Sequence, residues 1–260
     1  MEDQKVKALV AGGAGLSPLG RRPIQRLDFK PDRSVIEKLA VDMVATDIEI
    51  TLHGWFTPNW SSGTPVANDK GVLESLVEYF KVEASSKTIK KLTPKQIRFM
   101  RSFVYAKQSP SFNKVNATNL KGAVSNSFAF GNSGEKVFVS ESITIPFSLF
   151  ISITPELTYF DTSKHLQTNL EIQTHDWKNL VMGGDAVGFT VSDHNLSFEA
   201  YARTSDNDLG KPFLTFRQDY TEEVFSGANK SRKLDIQRNS KLMGFTIEMV
   251  KVHNSTDVVS

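Results

Sequence analysis

The histidines are the side chains of this chain best suited to bind a metal or to transfer protons near neutral pH. There are five in 260 residues: His53, His165, His175, His194 and His253. No two of them have the HxH or HExxH spacing that places two imidazoles on one metal ion. Cysteine is absent, which excludes cysteine zinc sites, thiol catalysis and disulfide scaffolds. The pattern therefore favours loop or surface histidines, and it predicts no metal, no cofactor and no catalytic residue.

A glycine-rich segment near the start of the chain is a second candidate site. Residues 6–15 (VKALVAGGAG) resemble the first strand and turn of a dinucleotide-binding fold. That motif needs a helix directly behind the glycines to hold the pyrophosphate. Leu16–Gly20 and then Pro23 follow instead, so a helix cannot begin properly there. GxSxG, Walker and paired-carboxylate signatures are also absent, and the sequence does not predict an enzyme.

Basic and aromatic residues form a third group, suited to contacts with another molecule. Most basic clusters are solvated faces; the alternative is a contact with a neighbouring subunit, with anionic lipid or with nucleic acid. The net charge of only +2 argues against a dedicated nucleic-acid binder. Trp60 lies in a loop rich in proline, serine and glycine, which makes it a candidate for an intersubunit contact. The candidate contact residues are Trp60, Lys87, Lys90, Lys91, Arg21 and Arg22.

The elements that would position these residues are mostly strands. Residues 1–23 are predicted to form an N-terminal arm, because small residues, Gly and Pro dominate its second half, so folded structure is expected from Ile24 onward. Ile48 and Ile50 belong to an apolar series that alternates with polar residues, which predicts a strand with one buried face. The apolar run 72–82 is also interpreted as a strand, although its spacing tolerates a helix.

One short helix is clearly marked in the sequence. Thr93 is a good N-cap, Pro94 suits the first helical position, and Gln96 completes a capping box. Apolar residues recur on one face behind them, which predicts an amphipathic helix over about residues 93–106.

A β-hairpin is predicted next. Residues 124–130 and 136–147 have the character of strands, and the turn sequence Gly131–Gly134 joins them. Glu141 interrupts the apolar face of the second strand. Pro146 is expected at the edge or the end of a strand, because proline cannot donate to the ladder.

The second half of the chain continues in the same style. Apolar and polar residues alternate at 166–174, 196–200, 234–236 and 245–249. Strands at this spacing without a strong helical repeat predict β-sandwiches rather than βαβ units. The two halves are similar in length and strand content, although no exact repeat is visible.

The order of these elements matches a known architecture. The segments that carry the match are Asp47–Trp55, a variable loop, 73–82, Thr88–Leu92 and the helix at Thr93. In the second half they are Ile143–Phe147, 166–172, Trp177–Leu180 and Leu196–Ala200. Together they resemble the double-jelly-roll major capsid proteins of tailless icosahedral, often membrane-containing, bacteriophages and related viruses.

The resemblance implies an all-β fold of two jelly-roll β-sandwiches in tandem with a short flanking helix. The first roll would span residues 24–150 and the second 151–260, with Ile143–Phe147 as the bridge between them. Trp177–Leu180 and Leu196–Ala200 would then lie in the opening strands of the second roll. Further strands would be needed after residue 250 to close that roll.

The resemblance also implies a function. The protein would be a structural virion protein and no enzyme, a major capsid protein whose homotrimers form pseudo-hexagonal capsomers of an icosahedral shell. Its partners would be neighbouring capsomers, penton and minor capsid proteins and an internal lipid membrane, without sequence-specific binding of nucleic acid. It would be made in the host cytoplasm and reside in the virion capsid. The candidate contact residues would then lie between subunits or on the inner surface of the shell.

Two other functions remain open for a β-sandwich of this kind. A β-sandwich adhesion or receptor-binding module, such as a carbohydrate-binding virion spike, would need an exposed aromatic platform, for which Trp55, Trp60 and Trp177 are the candidates. An enzyme of the cupin type would need histidines and a glutamate clustered on adjacent strands, a spacing that this sequence lacks.

Overall fold

Alternating apolar and polar residues make this chain a set of antiparallel strands whose apolar faces meet. The computed structural model describes residues 20–40, 42–68, 70–98, 128–147, 159–184 and 188–204. All of them belong to one compact unit. The all-β class predicted from the sequence is confirmed.

Eleven strands and a few short helices make up the described part. The strands are β1 (Gly20–Asp28), β2 (Ser34–Lys38), β3 (Val44–Asn59), β4 (Pro65–Ala67), β5 (Val77–Ala84), β6 (Lys87–Leu92), β7 (Val137–Pro146), β8 (Phe160–Asp161), β9 (Thr168–Thr174), β10 (Val181–Gly184) and β11 (Thr190–Thr204). Helix α1 spans Val72–Leu76, and helix α2 begins at residue 94 and continues to residue 98, where the described range ends. Two 3₁₀ turns cover Thr162–Lys164 and Trp177–Leu180.

Eight of these strands form two facing sheets. The first sheet has the order β1-β11-β3-β7, and the second has the order β2-β9-β5-β6. Numbered along the chain, the eight strands therefore run 1-8-3-6 in one sheet and 2-7-4-5 in the other. This is the strand order of a jelly roll, the double-sheet arrangement of two Greek keys. β8 adds to β3, and β4 pairs with β10 in a small separate ribbon.

The core lies between the two sheets. One face of β3 supplies Ile48, Ile50 and Leu52, each fully buried, as the alternation in the sequence predicts. Phe80 on β5 and Phe198 on β11 are buried with them. Fully burying one such side chain stabilises the fold by about 1.5–3 kcal/mol, so these buried side chains contribute most of the stability of the sandwich.

The strand order revises the domain boundary expected at residue 150. β9 lies between β2 and β5, and β11 lies between β1 and β3, so each is an inner strand of a sheet. Sequence analysis assigned both strands to a second roll, but here they complete the first. Without β11, β1 would lose its partner in the sheet and β3 would lose the strand on one of its two sides. A second roll would have to come from residues after Thr204, which lie outside the described part of the chain.

Strand β1 begins inside the predicted N-terminal arm. The arm was expected to reach residue 23, but β1 starts at Gly20 and pairs with the last residues of β11. Arg21 and Arg22 are therefore strand residues, opposite Arg203 and Ala202. Residues 1–19 of the predicted arm lie outside the described ranges.

The apolar run 72–82 is only partly a strand. Its first five residues form α1, and β5 begins at Val77. The helix is fixed by Glu141, whose carboxylate oxygens accept hydrogen bonds from the backbone N–H groups of Val72 and Leu73, each at 2.9 Å. Such a contact cannot be read from the local sequence, because 69 and 68 residues separate the partners.

The predicted capping box is confirmed. Thr93 Oγ1 accepts a hydrogen bond from the backbone N–H of Gln96 at 3.2 Å, and Gln96 Oε1 accepts one from the N–H of Thr93 at 3.0 Å. The expected helix runs to about residue 106, and its part beyond residue 98 lies outside the described ranges.

Only the second strand of the predicted hairpin is present in the described part. β7 matches the prediction and ends at Pro146, as expected for a proline. Residues 128–130 are not a strand, and residues 124–127 are not described. The strands expected at 234–236 and 245–249 also lie outside the described ranges. Trp177–Leu180 forms a 3₁₀ turn, because Asp176 caps it by accepting the N–H of Lys178 at 2.9 Å.

Candidate functional site

A serine, a histidine and a glutamate meet on the outer face of the first sheet. His53 Nε2 lies 3.4 Å from Ser197 Oγ and 3.0 Å from Glu199 Oε1. A hydrolase triad needs the serine and the carboxylate on different nitrogens of the imidazole ring. Here both contact Nε2. Strand pairing explains the cluster, because Ser197 is the partner of His53 and Glu199 follows two residues later on the same face.

An ion-pair network covers the other end of the same face. Arg203 contacts Asp47 and Glu49, each at 3.3 Å. Arg21 lies 3.7 Å from Glu49, and its guanidinium carbon stands 4.0 Å from the ring centroid of Tyr201. These contacts tie β1, β11 and β3 together. Arg21, a candidate contact residue, is therefore already engaged within the chain.

A second polar network lies on the outer face of the other sheet. Glu171 accepts hydrogen bonds from Tyr79 Oη at 2.9 Å, Ser34 Oγ at 3.1 Å and Lys81 Nζ at 3.2 Å. Burial by itself raises the pKa of Glu171, but the hydrogen bonds from Tyr79 and Lys81 outweigh it and hold the pKa below its usual value. Lys91 Nζ stands 4.6 Å from the ring centroid of Tyr79. Lys91 thus belongs to this network.

Lys90 differs from the other basic candidates because it is buried. Its side chain is only 2% exposed, and burial lowers its pKa to about 7. A bulge in the β5–β6 pairing places Lys90 opposite Val82, whose side chain is in the core. A surface contact was the expected role, and burial rules it out in this fold. Lys87, at the start of β6, is exposed.

The turn Gly131–Gly134 packs against the loop that carries Trp60. Ser133 Oγ accepts a hydrogen bond from the backbone N–H of Trp60 at 3.1 Å and lies 3.2 Å from its carbonyl oxygen. The Trp60 ring lies 6.1 Å from that of Phe130 in an edge-to-face contact. Trp60 is half-buried here, so part of it remains available for another molecule.

The tryptophans do not form the aromatic platform that carbohydrate binding would need. Trp177 packs on Phe29 with ring centroids 4.9 Å apart, and Lys136 Nζ lies 3.6 Å from the ring centroid of Trp55. Both rings, like that of Trp60, are only partly exposed, and they have different neighbours.

Neither a metal site nor a helix able to cross a membrane is present among the residues that the structure describes. In those ranges no group of three histidine, aspartate or glutamate side chains is placed to hold a metal ion. His194 packs against Trp177, and His165 stacks on Phe160. Among the described helices, none is long and apolar enough to cross a bilayer.

An open groove runs along the first half of β7. Its volume is about 510 Å³. Val72, Phe128, Ala129 and Gly131 line one part, and residues 135–141 line the other. Phe138 is 76% exposed there, because side chains alternate along β7 and its two neighbours point inward. Among the described strands β7 pairs only with β3, so its second edge faces this groove.

Comparison with known proteins gave matches among solved structures alone. Neither the family models nor the curated proteins match the chain. The chain is similar to the STIV MCP (Sulfolobus Turreted Icosahedral Virus) at 14% identity and a TM-score of 0.47, over 73% of this chain and 49% of that one. For the PBCV-1 virus capsid the values are 12%, 0.38, 72% and 42%. For the mavirus major capsid protein they are 10%, 0.40, 74% and 48%.

The chain spans slightly less than half the length of each of these structures.

Sequence reasoning missed two features of this region, the contact that Glu141 makes with α1 and the groove beside β7. The role of Glu141 was signalled by a charge on an otherwise apolar strand face, and the groove was signalled by the uncharged outward row of β7.

Proposed function

We propose that this chain is a structural virion protein, a major capsid protein whose homotrimers form the pseudo-hexagonal capsomers of an icosahedral shell. The observation that carries the proposal is the strand order of the two sheets, 1-8-3-6 facing 2-7-4-5. Jelly rolls serve as capsid domains, as lectins and as cupins. The side chains of this roll favour the first of these.

The interior of the roll gives little support to an enzyme of the cupin type. Cupin chemistry needs histidines and a carboxylate that converge inside the barrel. The space between the described strands is instead filled by isoleucine, leucine, valine and phenylalanine. Glu141, the one buried glutamate of the described residues, is held by the backbone of α1.

The surface gives little support to a carbohydrate-binding function. A stacking platform needs an exposed aromatic ring, and the three tryptophans are partly covered by Phe29, Phe130 and Lys136. The exposed ring among the described residues is Phe138, which stands alone beside a groove.

A shell tile needs stiff walls and surfaces that contact other subunits. Polar networks brace the outer face of each sheet, around Glu171 on one and Arg203 on the other. Lys87 and Arg22 remain exposed candidates for subunit contacts, and Arg22 also pairs with Asp42 at 2.9 Å. Neighbouring capsomers, penton and minor capsid proteins and an internal membrane would be the partners of such a tile.

The mass of the purified chain in solution tests the proposal. Light scattering should give a particle near three times 29.0 kDa that persists on dilution. Electron microscopy of concentrated samples should then show tiles or shells. Lys87→Glu should weaken the particle, and Lys178→Glu, on an exposed 3₁₀ turn, should leave it intact. A monomer at all concentrations would refute the proposal.

A further inference from the structure

The pairing of β5 with β6 has one residue too many on the β6 side. Thr88 pairs with Glu83 at one end of this stretch, and Leu92 pairs with Phe80 at the other. Between these two end pairs, β5 has two residues and β6 has three. The three residues of β6 are Ile89, Lys90 and Lys91. One of them must therefore be left unpaired, which makes a β-bulge.

The position of this bulge is what turns Lys90 into the core. Lys91 pairs with Lys81 and Lys90 pairs with Val82, so Ile89 is the extra residue. Ile89 and Lys90 are 7% and 2% exposed, although successive residues of a regular strand point to opposite faces. Both side chains point inward because a bulge places two neighbouring residues opposite one residue of the partner strand.

The same end pairs allow a second bulge, one residue further along β6. If Ile89 pairs with Val82, the extra residue is Lys90, and Lys90 and Lys91 then lie together opposite Lys81 on the outer face. Ile89 remains inward, Lys91 remains outward, and only Lys90 changes face. The two arrangements therefore differ in one side chain and in a one-residue shift of the bulge.

The charge of Lys90 decides between these arrangements. Burial lowers the pKa of the inward amine from 10.5 to about 7. An ammonium group in the core loses its hydration, whereas on the outer face it keeps it. Raising the pH from 7 toward 10.5 thus favours the inward arrangement, in which the neutral amine and its apolar stem fill the core. Lowering the pH toward 7 removes that advantage.

The buried carboxylates of the described residues already serve other groups. Glu141, on the facing sheet, accepts hydrogen bonds from α1 with both of its oxygens. Asp161 caps the 3₁₀ turn that follows it and lies 3.9 Å from Lys164 Nζ. Each of these two acids is therefore held by contacts in its own part of the core.

The outer face offers charges of both signs to an outward Lys90. Glu83 and Glu171 lie there, 2.5 Å and 3.2 Å from Lys81 Nζ. Lys91 is the neighbour along β6. The two carboxylates offset the repulsion by the two lysines, and water reaches this surface, so an ammonium group is better accommodated there than in the core.

We propose that the bulge of β6 is a pH-sensitive switch. Above neutral pH, Lys90 lies in the core opposite Val82. On acidification the bulge moves by one residue, Lys90 turns to the outer face, and Ile89 takes its place opposite Val82. The switch adds a positive charge to the outer face of the second sheet, beside Glu83 and Glu171. The inference does not depend on the proposed function.

Acetylation of lysines, read by mass spectrometry, measures the change of face. A short pulse of reagent labels Lys90 and Lys91 in the same chain. The ratio of the two labels cancels the general effect of pH on amine reactivity. Between pH 8.5 and pH 6 this ratio should rise by up to about 30-fold, because the equilibrium shifts about tenfold for each pH unit between 8.5 and 7.

Two variants fix the bulge in one arrangement each. Lys90→Met removes the charge, so the side chain should stay inward at every pH. Deletion of Lys90 leaves equal numbers of residues between the end pairs, so β6 should pair regularly with Ile89 opposite Val82. Hydrogen exchange of the β6 amides, corrected for its intrinsic pH dependence, should vary with pH in the native chain and in neither variant. Lys91→Met, outward in both arrangements, is the matched control and should keep the variation.

Each outcome decides the question. A rising ratio with the amides of β9 still protected, and with both variants insensitive to pH, supports the switch. A constant ratio overturns it. Equal loss of protection in β9, which pairs with β5, also overturns it, because the sandwich would then be unfolding as a whole. If Lys90→Met keeps the pH dependence, another group is responsible. If deletion of Lys90 prevents folding, the core does not tolerate the empty position, and the outward arrangement is refuted.

Discussion

Glu141 and Val72, 69 residues apart, are joined by a hydrogen bond of 2.9 Å between a carboxylate oxygen and a backbone N–H. The second oxygen accepts the N–H of Leu73 at the same distance. Both donors belong to the first turn of α1, where helical N–H groups have no partner within the helix. Glu141 is 6% exposed, so water cannot take its place. The pair therefore fixes the helix against β7.

Replacing Glu141 with leucine should destabilise the fold by about 2–4 kcal/mol, because two buried N–H groups lose their acceptor. Glu141→Gln keeps one acceptor oxygen and should cost less. Ser140→Ala, exposed on the neighbouring position, is the matched control. Urea unfolding measures the differences, and equal midpoints for Glu141→Leu and Ser140→Ala would show that the contact contributes nothing.

Lys90 should make stability rise with pH above neutrality. Burial lowers its pKa to about 7, whereas the unfolded chain keeps the usual value near 10.5. Between these values the unfolded state binds the proton and the folded state does not, so raising the pH favours folding. Below pH 7 both states are protonated, and the burial of the ammonium opposes folding in full. Over the whole range between the two pKa values, the free energy of unfolding should rise by at most about 4–5 kcal/mol.

Lys90→Met is the variant that tests this pH dependence. Unfolding by urea between pH 7 and pH 10 should show a rising free energy for the native chain and a flatter profile for Lys90→Met. The window ends before the titration of Tyr79 and Lys81. Burial raises the pKa of Tyr79. For Lys81, burial lowers the pKa, but the hydrogen bonds that Lys81 donates to Glu83 and Glu171 outweigh burial and raise it. Parallel profiles would assign the slope to another group.

Gly54 should not tolerate a side chain. Its φ of +125° lies in a region that residues with a Cβ rarely adopt, and an added Cβ would overlap the carbonyl oxygen of Asn195 on β11. Gly54→Ala should therefore cost about 3 kcal/mol or more, or prevent folding. Gly134→Ala is the control, with a φ of +86° and its nearest neighbour, Asn59 Oδ1, at 3.7 Å.

The control isolates the effect of backbone strain from that of overlap. Gly134→Ala should lose only about 1–2 kcal/mol, since a positive φ is its one disadvantage. Melting temperatures by circular dichroism compare the two variants. If both fall equally, the overlap with Asn195 is relieved by a small shift of β11, and the close approach of the strands at Gly54 has no structural role.

The sequence predicted local features well and distant pairings poorly. The alternation of Ile48 and Ile50 and the cap at Thr93 depend on residues within one element, and both are confirmed. Strand partners depend on residues far apart: β11 lies between β1 and β3 although about 130 residues separate Asn59 from Thr190. Alternation shows which face of a strand is buried but not which strand lies beside it, so the boundary at residue 150 was wrong.

The same reason explains the misplaced functional residues. Lys90 was read as a surface residue because three lysines lie close together, and the bulge that turns it inward arises from its pairing with β5. The first turn of α1 was read as strand because its acceptor, Glu141, comes from another sheet. In both cases a contact made only in the folded chain overrides the local pattern.

The capping box at Thr93 should stabilise the start of α2 measurably. Thr93→Ala removes the acceptor of the Gln96 N–H and should cost about 1 kcal/mol, and Thr93→Ser should cost much less because it keeps the hydroxyl. Gln96→Ala removes the reciprocal acceptor. Because the two bonds support one another, the double variant should lose less than the sum of the single losses in urea unfolding. Strict additivity would mean that the two hydrogen bonds act independently, and no loss in Thr93→Ala would mean that this helix start is held by its packing alone.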